Sequence, residues 1–418
     1  MHPPSAESKS EEQQAPDSEA SCCPAPHARF LQGWRLAAVG WAVACLILQS
    51  FALTNRSFEP DEGMRVYCAR ELLHGQTPYE DFWDHKDPME WLLCAFLLRV
   101  FGNSISGLRL GVVLLRAILI YQLIGLARQL QVTRYLWLVG ALSLILFTAE
   151  PIQGNTAAME IPGLLFFVGA MRFSLTAIAK PNPKRLLYSL IAGILAGLGM
   201  LVKITTAVSC LVPFVLLWGL RPRTSENAQE YGVVSQLLLA AVGVLIPIVA
   251  VAMWCMHNGI LDNWLFVLTV YNPAYSQGIP HWEYLSGVLP SRLAFLAPFA
   301  ALAALGILRN WRNQRLAMLW LAVWLLLSVV SACLGWRFYP HYFLLLVPPV
   351  ALSGAASLDT VKARTPSASF LNALTVCLLL VGALLGVNVV KWYLLEAPHW
   401  KPPNMGFFTD ESVVQLAE

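Results

Sequence analysis

Charge is scarce in this chain. Only 13% of its 418 residues are Asp, Glu, Lys or Arg, while 57% are hydrophobic. Soluble domains carry about a quarter charged residues, so an ordinary soluble domain is excluded. The net charge of +3 says little by itself, because in so apolar a chain the placement of Lys and Arg carries the information; nucleic acid is not expected as a partner. The nine Cys show neither metal-ribbon spacing nor a disulfide framework. Cys45, Cys94, Cys210, Cys255, Cys333 and Cys377 lie inside apolar runs, where Cys packs as a small hydrophobe. No convincing internal repeat is present, which counts against a transporter or flippase built from matched halves.

What the chain has instead is repeated apolar segments near the roughly 20 residues that a membrane-spanning helix needs. Candidate spans are 33–53, 107–127, 135–149, 161–179, 186–202, 204–220, 233–256, 285–308, 316–335, 341–357 and 370–392. The first lacks a small-residue cleavage motif and is expected to stay as an anchor. Residues 1–32, rich in Pro, Ser, Glu and Gln, are predicted to be a disordered cytoplasmic tail. The apolar run 88–101 is ambiguous by length, and charge placement decides its reading. If it does not cross, alternate loops carry Arg128, Arg134, Lys180, Lys184, Arg185, Arg221, Arg223, Arg309, Arg312, Arg315, Lys362 and Arg364. The opposite loops carry only Lys203 and Arg337. Basic loops face the cytoplasm, so 88–101 is predicted to lie in the outer interface, with Glu90 and Arg99 reaching for water.

The expectation is an all-α polytopic membrane protein of about eleven helices, with a cytoplasmic N-terminus. Residues 33–357 would form the main bundle, with a large outer loop at 54–106. Residues 358–418 would supply the last span and a short outer tail. A second outer loop, 257–284, has no Lys or Arg and reads as a flexible segment suited to closing over a carbohydrate.

Chemistry concentrates in the first outer loop, F-E-P-D-E-G-M-R-V-Y-C-A-R-E-L-L-H-G-Q-T-P-Y-E-D-F-W-D-H-K-D-P-M-E-W. Pro60 suits a helix start and Gly75 its stop. Met64, Tyr67, Cys68 and Leu72 are expected to form the apolar face of a surface helix. Asp61 and Glu62 occupy its first turn, where the dipole favours carboxylates, and Asp61 and Arg65 share one face four residues apart. An exposed capping turn with solvated charges would show the same pattern.

This run, with its acidic pair, its G-Q-T-P-Y turn and K-D-P before an apolar helix, resembles the first outer loop of GT-C glycosyltransferases. The pattern is similar to the protein O-mannosyltransferase and lipid A aminoarabinose transferase superfamily, including bacterial galacturonosyltransferase-like members. Arg109, Glu160, Lys203 and His341 fall in matching order, and Asp87 stands where the family has the first Pro of K-P-P. The resemblance implies an inverting transfer of a sugar from a polyprenyl-phosphate donor to a lipid, glycan or protein acceptor, at the outer face of a bacterial inner membrane. It implies Asp61 as base or hydroxyl-orienting carboxylate, with Glu62 positioning it or the sugar. It implies Lys86, Arg65, Arg337, Arg109 and Lys203 around the donor phosphate, and Glu160, Tyr67 and His341 toward sugar or acceptor.

No cofactor is expected. A divalent cation held by Asp81, Asp84, His85 and Asp87 is the alternative to a hydrated acidic turn, which is preferred. Arg116 lies mid-span, where an ionisable group is either internally paired or faces a cavity. Trp and Tyr near span ends form an interface belt.

Overall fold

The computed structural model describes residues 33–53, 59–179, 184–220, 231–277, 282–334, 338–360 and 366–397. The predicted tail and Arg337 lie outside the described residues. Among the described residues nine helices are long and apolar enough to cross a membrane, and two shorter apolar helices, Leu136–Thr148 and Ile204–Gly219, accompany them. Together they match the eleven predicted spans. The chain is an integral membrane protein.

The helices run α1 (Trp34–Leu53), α2 (Pro60–Leu73), α3 (Pro88–Phe101), α4 (Ile105–Leu130), α5 (Leu136–Thr148), α6 (Glu160–Ala179), α7 (Lys184–Val202) and α8 (Ile204–Leu216). They continue with α9 (Tyr231–His257), α10 (Leu261–Phe266), α11 (Asn272–Gln277), α12 (Trp282–Asn310), α13 (Arg315–Cys333), α14 (Val347–Ala356) and α15 (Pro366–Leu395). A 3-10 turn, Pro340–Leu346, leads into α14.

Small residues let these helices approach closely. A Cβ on Gly193 would sit 2.0 Å from the Ala240 carbonyl oxygen, and one on Gly306 would sit 1.7 Å from that of Ser353. Larger residues there would force apart α7 from α9, and α12 from α14.

The bundle has two chemically distinct ends. At one, the Arg128 guanidinium lies 4.9 Å over the Trp34 ring, Arg134 pairs with Asp359 at 3.4 Å, and Arg309 donates to Thr375 at 2.9 Å. Arg128, Arg134 and Arg309, from the predicted basic loops, therefore lie toward one side. At the other, Ser106 Oγ donates to the Leu53 carbonyl at 2.8 Å and Tyr393 Oη donates to that of Thr148 at 2.9 Å.

Helix α3 does not cross between these ends. Its 14 residues make about 21 Å, and both of its flanks are tied to the second end. Lys86, just before it, pairs with Asp61, while Asn103, just after it, accepts from Arg70 Nε at 2.9 Å. Arg99 is exposed, as expected, but Glu90 is buried. Instead of reaching for water, Glu90 turns into the protein toward two cations.

Of the expected apolar face of α2, Cys68 is fully buried and Leu72 packs on the core, while Met64 and Tyr67 are 40% and 46% exposed on the protein surface. Glu62 and Arg65 are buried as well, because they meet charged partners there. The stretch read as a flexible second outer loop begins with ordered helix: α10, a π turn at Val267–Tyr271, and α11.

Candidate active site

Local sequence sets the position of the first carboxylates. Pro60 occupies the first turn of α2, and Glu59 caps it: its side chain accepts from Asp61 N at 2.9 Å. Glu62 Oε2 in turn accepts from Glu59 N at 3.2 Å. This reciprocal capping box fixes Asp61 and Glu62 on the first turn. Gly75, with φ of +84°, supplies the left-handed turn that lets the chain leave the helix.

Glu62 and Asp61 then face different surroundings. Glu62 is fully buried and receives Arg109 Nε at 3.1 Å, Arg109 Nη2 at 2.7 Å and Ala157 N at 2.7 Å. Burial pushes its carboxyl up, but the Arg109 guanidinium outweighs this and holds it below the usual range. Asp61 retains 33% side-chain exposure and faces Arg65 Nη2 at 3.3 Å and Lys86 Nζ at 3.6 Å. Desolvation opposes its charge, yet Lys86, then Arg65, His341 and Lys203, hold it well below the carboxylate range. Glu59 is driven the other way, up to about 8, by burial and by the neighbouring Asp61 charge. Two adjacent carboxyls are thus separated in acidity by their environments.

A chain of ion pairs extends inward. Arg65 Nε donates to Glu90 Oε1 at 2.8 Å. Lys203 Nζ lies 4.0 Å from Glu90 Oε2 and 3.8 Å from Glu160 Oε1. Burial disfavours the Lys203 ammonium, but Glu160 and Glu90 outweigh it and raise its pKa. Lys86 follows the same logic, with Asp61, Glu90 and Asp84 overcoming desolvation. Glu160, at the start of α6, is fully buried, and neither carboxylate oxygen has a hydrogen-bond partner. Such an acceptor is costly unless a donor arrives to satisfy it. His341 is anchored by Gln153, whose Oε1 lies 2.8 Å from Nδ1.

Asp61, Glu62, Arg65, Lys86, Arg109, Glu160, Lys203 and His341 therefore gather around one end of the bundle, from six separate parts of the chain. Tyr67 is not brought inward: it sits edge-on to Phe82 with ring centroids 6.5 Å apart. Glu90, Glu59 and Gln153 were missed. Glu90 had a signal, being the sole acidic residue in a 14-residue apolar helix; Glu59 had the capping pattern E-P-D-E. Gln153 had none.

The four residues considered for a cation are each engaged otherwise. Asp81 accepts from Thr77 N at 2.7 Å. Asp84 pairs with Lys86 at 3.0 Å and His85 at 3.1 Å, and these partners offset burial to hold its pKa at about 2. Asp87 accepts from Trp264 Nε1 at 3.0 Å. Among the described residues no three His, Cys, Asp or Glu converge on one point.

That Trp264 contact explains the departure from K-P-P: Asp87 ties the α3 start to α10. Asn272 donates to the His85 carbonyl at 3.3 Å, and Tyr275 packs on the His85 ring at 4.8 Å. The second outer segment is thereby seated against residues 83–87. Arg116, in α4, is internally paired: it donates to Gln49 Oε1 and, at 2.8 Å, to the Thr156 carbonyl.

A helical membrane bundle with carboxylates and cations assembled at one end, beside a short helix that does not cross, has the GT-C fold. A family model described as dolichyl-phosphate-mannose-protein mannosyltransferase matches residues 85–254. The undecaprenyl phosphate-alpha-4-amino-4-deoxy-L-arabinose arabinosyl transferase 1 of Pseudomonas fluorescens (strain Pf0-1) is 26% identical over 332 residues, 75% of this chain. The chain spans 57% of that protein's length. The crystal structure of ArnT from Cupriavidus metallidurans bound to undecaprenyl phosphate superposes with a TM-score of 0.52 at 16% identity, covering 87% of this chain and 75% of that one. Its apo state gives 0.51 at 16% identity, covering 88% and 74%.

Proposed function

We propose that this protein is a membrane glycosyltransferase that moves a sugar from a polyprenyl-phosphate donor to an acceptor hydroxyl. One observation carries the assignment of roles. Of the cluster carboxylates Asp61, Glu62, Glu90 and Glu160, only Asp61 opens to the exterior, at 33% against 0–2% for the others. It is the carboxylate an acceptor can reach.

Displacement at the anomeric carbon needs the acceptor hydroxyl oriented and relieved of its proton, while the departing phosphate is stabilised. With Lys86 and Arg65 beside it, Asp61 is a weak base at rest. A donor phosphate arriving between these cations would draw their field away from the carboxylate. Asp61 would then become a better proton acceptor only once the donor is in place. Lys86, Arg65 and Lys203 would hold the phosphate, and Glu62 with Arg109 would fix the turn that carries Asp61. Glu160 offers two unsatisfied acceptors for sugar hydroxyls or an amino group, with His341 nearby. A single displacement inverts the anomeric configuration.

Undecaprenyl phosphate is bound in the crystal structure of the ArnT relative, which supports a polyprenyl carrier here. With the basic end of the bundle cytoplasmic, the cluster would face outward from a bacterial inner membrane.

The test is transfer from a panel of radiolabelled polyprenyl-phosphate sugars into membrane extracts, comparing the natural protein with Asp61→Asn at matched expression. The expected result is transfer from one donor and its reduction by at least a hundredfold in Asp61→Asn. Equal transfer by both proteins would remove Asp61 from the chemistry. No transfer from any donor would sink the enzyme reading.

A further inference from the structure

The basic end of the bundle holds positive charge that no acid balances. Arg35 of α1 and Arg128 of α4 share one indole: their guanidinium carbons lie 5.7 and 4.9 Å from the centre of the Trp34 ring. Tyr121 packs against the same indole, with ring centroids 5.9 Å apart. Arg172 reaches this place from α6. It crosses α4 over Gly125, where a Cβ would stand 2.5 Å from its guanidinium carbon. There it donates to Gln129 Oε1 at 3.2 Å and to Gln122 Oε1. Gln129 is held in turn, its Nε2 donating to Thr176 Oγ1 at 3.2 Å. Arg172 is thus fixed within range of the Arg128 charge.

Among the described residues no carboxylate pairs with Arg35, Arg128 or Arg172. Helices α1 and α4 contain no Asp or Glu, and the one acid of α6, Glu160, begins that helix at its far end. Arg134, at the same end of the bundle, does receive a carboxylate, Asp359 at 3.4 Å. Like charges held together without a counter-charge repel one another. A phosphate accepting from them removes that cost and forms charge-assisted hydrogen bonds.

We propose that Arg35, Arg128 and Arg172 bind the phosphate of one net-anionic phospholipid. Basic sites between helices at the cytoplasmic side suit such headgroups. A zwitterionic headgroup would bring its own ammonium among three guanidiniums with no carboxylate to receive it. A lipid is favoured over a soluble phosphate by what lies beside the arginines. Leu36, Val39, Val43 and Ile47 are exposed at helical spacing and run from next to Arg35 into the membrane over about 16 Å of helix. An acyl chain can lie along that stripe, with Trp34 at the level of the interface. The site uses none of the residues assigned to sugar transfer, so it stands independently of that function.

Native mass spectrometry on the full chain, taken from nanodiscs of equal phosphatidylglycerol and phosphatidylethanolamine through stepwise delipidation, tests this. The expected result is one phosphatidylglycerol retained after the remaining lipid is lost, in preference to phosphatidylethanolamine. Arg128→Gln and Arg172→Gln are each expected to cut its retention about fivefold, the worth of one arginine at an anionic surface. Gly125→Leu keeps every charge but occupies the place of the Arg172 guanidinium, and is expected to do the same. Arg312→Gln, which removes an exposed arginine of another basic loop, should leave retention unchanged, as should excess inorganic phosphate. Equal retention of both lipids would overturn the headgroup assignment. Retention indifferent to both Arg128→Gln and Arg172→Gln would overturn the site. An equal loss in Arg312→Gln would do the same, by showing that any cation suffices. Displacement by inorganic phosphate would replace the lipid with a soluble anion. Retention gained only when Glu7, Glu11, Glu12, Asp17 and Glu19 are all replaced by their amides would also overturn it, by showing that the chain's own acids neutralise the arginines.

Discussion

Glu62 and Arg109, 47 residues apart, meet in a buried bidentate pair, with Nε at 3.1 Å and Nη2 at 2.7 Å. The same carboxylate holds the Ala157 and Glu59 amides, so α2, α4 and the segment before α6 are joined at one point. Removing one member of such a pair leaves the other charged and buried, at a cost of about 3–5 kcal/mol. Glu62→Gln and Arg109→Met are each expected to lower the thermal midpoint in detergent and reduce recovery. The double variant is expected to regain part of the loss, because no uncompensated charge remains. A double-mutant cycle with strictly additive losses would show that the pair is not coupled.

Glu90 has a different task. It lies between Arg65, at 2.8 Å, and Lys203, at 4.0 Å, and orients cations assigned to the donor phosphate. Glu90→Gln keeps the shape but removes the charge. Transfer efficiency is expected to fall about 10- to 100-fold, or roughly 1.4–2.7 kcal/mol, mainly through a raised KM for donor, with the fold intact. An unchanged KM with kcat alone reduced would move Glu90 from holding the donor to the reacting centre.

The bundle was legible in the sequence because apolar length and basic-loop alternation are encoded locally. So were Asp61, Glu62 and Lys86, which sit within one short outer run. The burial of charge on α2 was not legible. Helical periodicity marks the apolar stripe, and only the distant Arg109 and Glu90 make it favourable to bury Glu62 and Arg65. The same nonlocality hid the fate of Glu90 and the link from Asp87 to Trp264, 177 residues away.

That link should titrate. Burial raises the Asp87 pKa to about 6, and the Trp264 hydrogen bond offsets it only in part. A carboxyl with a folded pKa above its unfolded value of about 3.9 binds protons more tightly when folded. Its contribution to stability is then greatest below the unfolded value and lost as pH rises through about 6. Asp87→Asn, which keeps the acceptor for Trp264 without the charge, is expected to raise the thermal midpoint at pH 8 by a few degrees. At pH 4.5 the difference should shrink toward zero. A variant equally stabilised at both pH values would show that Asp87 carries no titrating strain.

Arg116 separates structural from catalytic charge. It is fully buried in α4 and donates to Gln49 Oε1 and the Thr156 carbonyl. Gln49 Nε2 continues to the Gly154 carbonyl and Tyr393 Oη, each at 2.9 Å. This network joins α1, α4 and α15 to the 150–157 segment that carries Gln153, the partner of His341. Arg116→Met leaves Gln49 Oε1 and the Thr156 carbonyl without this donor, each worth about 1–3 kcal/mol when buried and unsatisfied. Its thermal midpoint is expected to drop, while transfer per folded molecule, measured well below that midpoint, should stay within a few-fold of the natural protein. A hundredfold loss of transfer in a protein of unchanged stability would mean that Arg116 meets the donor and that its observed partners are only the resting arrangement.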